Sequence, residues 1–208
     1  MRVSTRNRVL KTIAATVTTL LMGFVLILSF QNVGVSAPIT TWTELADTPL
    51  PVDTASSGIV YNDGFIYVIG GKQPEGNAFL ASDKVFYAAV NDDGSLGDWQ
   101  ETSSLPDYRF LHAGAANDKY ISSIGGAGRD PRLGTVSIFR TEYLEDGKLA
   151  QLQTIGNYPL SPPPVDIDDG INLHEAVIVN DRLYVLGGFL GGYSVEGDPT
   201  LSLVQFAQ

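Results

Sequence analysis

The chain has 208 residues, 44% hydrophobic and 17% charged, with no cysteine and a formal net charge of −10. Such a length and composition support a folded domain with a core and exclude a disordered chain. Without cysteine there is no disulfide framework, thiolate metal site or thiol nucleophile, and the acid excess disfavours nucleic acid as a partner.

Arg2, Arg6, Arg8 and Lys11 open the chain, residues 12–30 carry no charge, and the first acidic residue is Glu44. A basic flank ahead of an apolar run is the pattern of an export signal. Residues 1–37 are therefore set apart as a signal peptide or N-terminal membrane anchor. A cut after Ser36, with Gly34 at the third position, avoids leaving Pro38 first in the mature chain, as a cut after Ala37 would. The 19-residue run is also near the length that spans a bilayer. The expected location is accordingly outside the cytoplasm, secreted or held on the outer face of the membrane. Without the leader, nine basic residues face 23 acidic ones, a net of −14, which keeps an exported domain soluble.

The chain's 22 glycines, 20 of them from residue 38 onward, among many Tyr, Phe and Val predict short strands and tight turns, hence an all-β fold. Three segments repeat: SSGIVYNDGFIYVIGG (56–71), HAGAANDKYISSIGG (112–126) and HEAVIVNDRLYVLGG (174–188). Each predicts a strand, a turn at Asn62-Asp63, Asn117-Asp118 or Asn180-Asp181, and a second strand ending in Gly70-Gly71, Gly125-Gly126 or Gly187-Gly188. A further pair of segments, VFYAAVNDDGSLGDWQETSSLP (85–106) and IFRTEYLEDGKLAQLQTIGNYP (138–159), align at an offset of 53. Their Asp93-Gly94 and Asp146-Gly147 pairs predict hairpins, and Leu152 stands where Trp99 does. TWTELADTPLP (41–51) resembles the stretch around Trp99, which aligns Trp42 with it.

Four short strands in roughly 50 residues, with Gly-Gly, then an aromatic, then Trp, resemble the kelch repeat. The resemblance covers residues 38–208 from about Trp42 and is sharpest in the first repeat, through Tyr87 and Trp99. Arg140 replaces the Tyr in the second, and Phe206 stands for it in the third. It implies four-stranded antiparallel blades of a β-propeller, with the aromatics filling the space between blades. The inventory is a lone fourth strand at Trp42, two full blades and three strands of a last one. That is an incomplete ring, since closed propellers have about four to eight blades. Either the chain is part of a longer protein, or two chains share a six-bladed ring; open blade edges predict self-association.

In such blades the loops between second and third strands share a face with the segments leading into the first strands, and ligands are expected there. On this chain that face offers Arg109, His112, Arg129, Arg132, His174 and Glu175 as binding residues. The plainer reading makes Arg109 a structural ion pair and His112 a satisfied polar residue. Asp166, Asp168, Asp169 and Asn172 could supply oxygen ligands to Ca²⁺, though not at EF-hand spacing; otherwise no cofactor is expected. Function divides between a non-catalytic module binding a protein or glycan and an exported sugar-active enzyme of the epimerase or mutarotase kind. The copper-radical oxidases on this fold need a Cys–Tyr cross-link, which a cysteine-free chain lacks. No catalytic constellation can be assigned residue by residue.

Overall fold

The computed structural model describes residues 41–76, 78–130, 134–157, 170–190 and 204–207. The chain divides into two compact units, Met1–Glu44 and Leu45–Gln208, and every described strand lies in the second. The basic start and apolar run of the leader fall outside the described residues. Among the described residues, no helix is long and apolar enough to cross a membrane.

Blade 1 contains β1 (Gly58–Asn62), β2 (Phe65–Ile69), β5 (Val85–Ala89) and β6 (Gln100–Glu101), hydrogen-bonded in that order. Between its second and third strands, β3 (Lys72–Glu75) and β4 (Ala78–Ala81) form a separate hairpin. Blade 2 runs through β7 (Ala113–Ala116), β8 (Tyr120–Ile124), β9 (Ser137–Glu142) and β10 (Gln153–Asn157). Beyond it, β11 (Ile171–Asn172) pairs with β14 (Phe189–Leu190) as a short ribbon. Blade 3 has β12 (Glu175–Val179), β13 (Arg182–Leu186) and β15 (Val204–Ala207). All these pairs are antiparallel, and β7 lies against both β1 and β12, so the three first strands stand side by side.

The registers match the repeat: Tyr67 faces Tyr87, Ser122 faces Arg140, and Tyr184 faces Phe206 across equivalent strand pairs. All six glycines of the doublets have positive φ. At Gly125 a Cβ would meet the Ile171 carbonyl oxygen at 2.7 Å and His174 Cε1 at 2.8 Å, so both conformation and crowding demand glycine there. The turns are more varied than the repeated Asn-Asp suggests. Asn62 pairs with Phe65, which moves the first turn one residue on, to Asp63 (φ 45°) and Gly64 (φ 81°). In blade 3 the turn is Asn180-Asp181, both left-handed. In blade 2 the Asn117 side chain instead accepts the Lys119 and Tyr120 amides, a local Asx-type turn.

The core lies in the seams between blades. Val60, Tyr67, Ile69, Val85 and Tyr87 of blade 1 pack on Ile121, Phe139, Leu149 and Leu152 of blade 2, with Leu105 from the connection. Ala115, Ile124 and Ile138 of blade 2 pack on Leu183 and Val185 of blade 3, with Ile171.

Two expectations need correction. Trp99 is half-buried rather than core, and its indole Nε1 donates to the Thr48 carbonyl at 3.1 Å. Its counterpart Leu152 is buried because blade 1 lies against it; among the described residues no blade precedes blade 1 to cover Trp99 in the same way. Trp42 is 90% exposed and belongs to no strand, so the lone fourth strand is not formed.

Candidate functional site

The connections from second to third strand of blades 1 and 2 both meet the segment leading into β7. Ser82, just after β4, bridges to Arg109, and Phe110 bridges to Ala127 after β8. Together they enclose a cavity of about 530 Å³ lined by Asp107, Tyr108, Arg109, Gly128, Arg129, Asp130, Gly134 and Thr135. This is the face expected to carry ligand contacts.

Arg109 forms the floor of the cavity and is committed to structure. Its side chain is 5% exposed; Nη1 reaches Asp107 Oδ2 at 3.1 Å and donates to the Tyr108 carbonyl at 2.7 Å. Nη2 donates to Ser137 Oγ at 2.6 Å, and the guanidinium lies 4.6 Å from the Phe139 ring centre. Burial pulls its pKa down while Asp107 opposes the shift. An arginine stays charged under such a shift, so it holds the blade 2 lead-in against β9 as a permanent cation. The ion-pair reading of Arg109 is the one this geometry matches.

Arg129 is different. It is exposed, and its guanidinium stacks 3.8 Å from the Tyr108 ring centre at the rim of the cavity. Ring and cation together make a pre-oriented flat surface with donors at its edge. Arg132 falls outside the described residues.

His112 and His174 do not reach this cavity. They sit at the same place in successive blades, one residue before β7 and β12, and both are buried. The His112 ring lies against Gly58 and Gly70 and its Cβ against Gly126, while the His174 ring lies against Gly125 and its Cβ against Gly188. Neither ring nitrogen of His112 makes a hydrogen bond, so it is not the satisfied polar residue expected. Burial, with smaller contributions from the charges of Arg109 and His174, pushes His112 down to about 3. Burial pushes His174 down to about 4, with the Ile124 backbone opposing weakly. Glu175 opens β12 and is exposed. Of the Ca²⁺ candidates, Asp166, Asp168 and Asp169 fall outside the described residues. Asn172 is buried in β11, paired with Phe189. Among the described residues no three metal-binding side chains cluster.

One feature of this end escapes sequence reading. The β3–β4 hairpin stands where a loop between second and third strands was expected and carries Phe79 (62% exposed) and Leu80 (41% exposed). Pro74 and Gly76 mask its strand character, although Ala78–Ala81 is an apolar run that could have signalled it.

The chain matches no family model. It is 28% identical over 150 residues to Kelch-like protein 38 of Homo sapiens, covering 71% of this chain and 22% of that one. It is 29% identical over 154 residues to alpha-scruin of Limulus polyphemus, covering 71% and 15%. The solved structure of YjhT superposes with a TM-score of 0.52 and 17% identity over 77% of this chain and 47% of its own. The chain therefore spans less than a quarter of either relative and about half of the solved neighbour.

Proposed function

Starting from the fact that this chain is a run of kelch-type propeller blades, we propose that it is an exported, non-catalytic binding module that grips a protein at the end carrying the Arg129–Tyr108 cavity. The observation that carries this reading is the pairing of two surfaces at one end of the blades. One is the stacked Arg129 and Tyr108 over a cavity of about 530 Å³; the other is a projecting hairpin that displays Phe79 and Leu80. Exposed aromatic side chains beside an oriented arginine are the composition of protein-interface hot spots. A glycan would use the same stacked ring and polar rim but has little use for the apolar hairpin tip.

A photo-crosslinking residue at Phe79 or Arg129 in the full chain tests the reading. Protein adducts should form there and not at Leu144, an exposed control distant in sequence and on another loop. Retention on a glycan panel without protein adducts would move the assignment to carbohydrate. Turnover of a sugar in a mutarotation assay would support the enzymatic reading instead. Export rests on the basic start and uncharged run of residues 1–30. Residues 1–45 fused to a reporter active only outside the cytoplasm should give activity.

A further inference from the structure

Where glycine follows aspartate, the glycine amide nitrogen has no side chain beside it to keep it from the aspartyl carboxyl. The chain has four such pairs, at Asp63, Asp93, Asp146 and Asp169, and the first three lie among the described residues. These three aspartates are all exposed, but their surroundings differ. Asp93 Oδ1 accepts the Ser95 hydroxyl at 2.6 Å and the Ser95 amide at 2.9 Å, and the Gly94 amide donates to the Asn91 carbonyl at 2.9 Å. The Ser95 bonds, the hydroxyl's first, hold the Asp93 carboxyl below the usual carboxylate range. Gly147, after Asp146, is buried. Its carbonyl accepts the Tyr67 hydroxyl at 2.8 Å, and a Cβ on it would strike the Phe65 ring at 2.6 Å. At Asp63-Gly64, among the described residues, no hydrogen bond reaches the carboxylate or the glycine amide. A Cβ on Gly64 would meet nothing within 4 Å.

We propose that the turn Asp63-Gly64 is a site of spontaneous backbone isomerisation, at which aspartate becomes isoaspartate ahead of Asp93 and Asp146. The Gly64 nitrogen attacks Cγ of the neutral Asp63 carboxyl, and the new N–Cγ bond closes a five-membered succinimide. The carboxyl hydroxyl leaves with the amide proton as water. A water molecule then opens the ring. Breaking the N–Cγ bond returns aspartate; breaking the bond from nitrogen to the main-chain carbonyl carbon leaves isoaspartate, with no net change in atoms. Closure needs a carboxyl free to lose its hydroxyl and a glycine free to swing toward it. Asp93 is kept ionised by its hydrogen bonds, and Gly147 is pinned against Phe65 and Tyr67. Asp63-Gly64 carries neither restraint. The product has one extra carbon in the main chain between Asn62 and Phe65, which pair across the turn. The Phe65 ring lies 6.0 Å from that of Tyr87, so the change falls at the edge of the seam between blades 1 and 2. It does not depend on the proposed function.

The test ages the full chain in mildly acidic buffer, folded in one sample as checked by circular dichroism and unfolded by urea in another. Digestion with an endoproteinase that cuts before aspartate but not before isoaspartate, followed by mass spectrometry, gives the conversion at each pair. In urea the three pairs should convert at similar rates. In the folded chain Asp63 should lead Asp93, whose carboxylate must first give up two hydrogen bonds, by about tenfold. Ser95→Ala should raise the rate at Asp93 about threefold and leave Asp63 unchanged. Asp63→Glu, which would have to close a less favourable six-membered ring, should abolish the product at this turn. Equal rates at Asp63 and Asp93 in the folded chain would overturn the proposal, as would Asp146 converting first. So would the absence of isoaspartate at Asp63 over the time in which the unfolded chain forms it there.

Discussion

Between blades 1 and 2 the Tyr67 and Tyr87 rings stack with centres 6.1 Å apart, Tyr143 packs alongside, and the turn of blade 2 closes over them. Between blades 2 and 3 the same two positions hold Ser122 and Arg140, and a cleft remains. The backbone plan is identical in both: three first strands side by side, glycine doublets with positive φ, and a buried histidine at the lead-in of each following blade. The comparison separates what the repeat requires from what it tolerates. Glycine, strand register and small-residue contacts near the axis are required. The side chains farther out can be exchanged from aromatic to polar without changing the pairing, because register is held by backbone hydrogen bonds within each blade.

Acid should stress both seams most. His112 and His174 are neutral when folded, with pKa values near 3 and 4 against about 6.5 unfolded. Their contribution to stability is complete above pH 6.5. It is lost as pH falls, because the unfolded chain takes up protons that the folded chain refuses, and the loss ends once both folded values are passed. The expected loss between pH 7 and pH 4 is on the order of several kcal/mol. Thermal melts across this range should fall, and the fall should shrink in His112→Gln and His174→Gln separately. Melts that stay flat would mean that neither ring is buried neutral.

Truncation should then tell the seams apart. Tyr67→Ala removes a ring from the filled seam and should cost about 3–5 kcal/mol. Ser122→Ala, at the same place in the open seam, should change stability by less than about 1 kcal/mol. Chemical denaturation of both variants checks this, and equal losses would mean that the cleft is packed in solution. Leu152→Ala and Trp99→Ala make a smaller pair. The buried leucine should cost about 2–5 kcal/mol and the half-covered tryptophan less, with a Trp99 emission maximum intermediate between buried and solvated indole. Within the filled seam, Tyr67→Phe leaves the Gly147 carbonyl without its donor and should cost about 1–2 kcal/mol, less than loss of the whole ring.

The blades were legible in the sequence because their signals are local. The Gly-Gly doublets, the Asp-Gly turn at Asp146-Gly147 and the offset between the Tyr87 and Arg140 strands are all written within one repeat. What was not legible depends on neighbours. Trp99 has the residue type of a core anchor but lacks a preceding blade among the described residues. Asn62-Asp63 resembles Asn180-Asp181, yet Gly64 draws the turn forward by one residue, since glycine adopts the left-handed conformation more cheaply than asparagine. At the candidate site, Arg109 and Arg129 carry the same charge in the sequence. Only the packing of Ser137, Thr135 and Phe139 around one, and the single ring of Tyr108 under the other, separates a clamp from an exposed contact. Burial of His112 without a partner likewise has no signature in the sequence around it.

The glycine doublets also bear on the order in which the chain assembles as it is made. The Gly71 amide donates to the carbonyl of Arg109, and the Gly126 amide to that of Ile171. Each of these two doublets is thus tied to a residue roughly forty positions further along, in the lead-in to the next blade. A blade emerging from the ribosome can pair its strands at once but cannot secure the exit of its second strand until the following lead-in has arrived. Synthesis therefore proceeds with one blade always unfastened at its downstream side, and the row fastens in the direction of translation, each newcomer locking the blade before it.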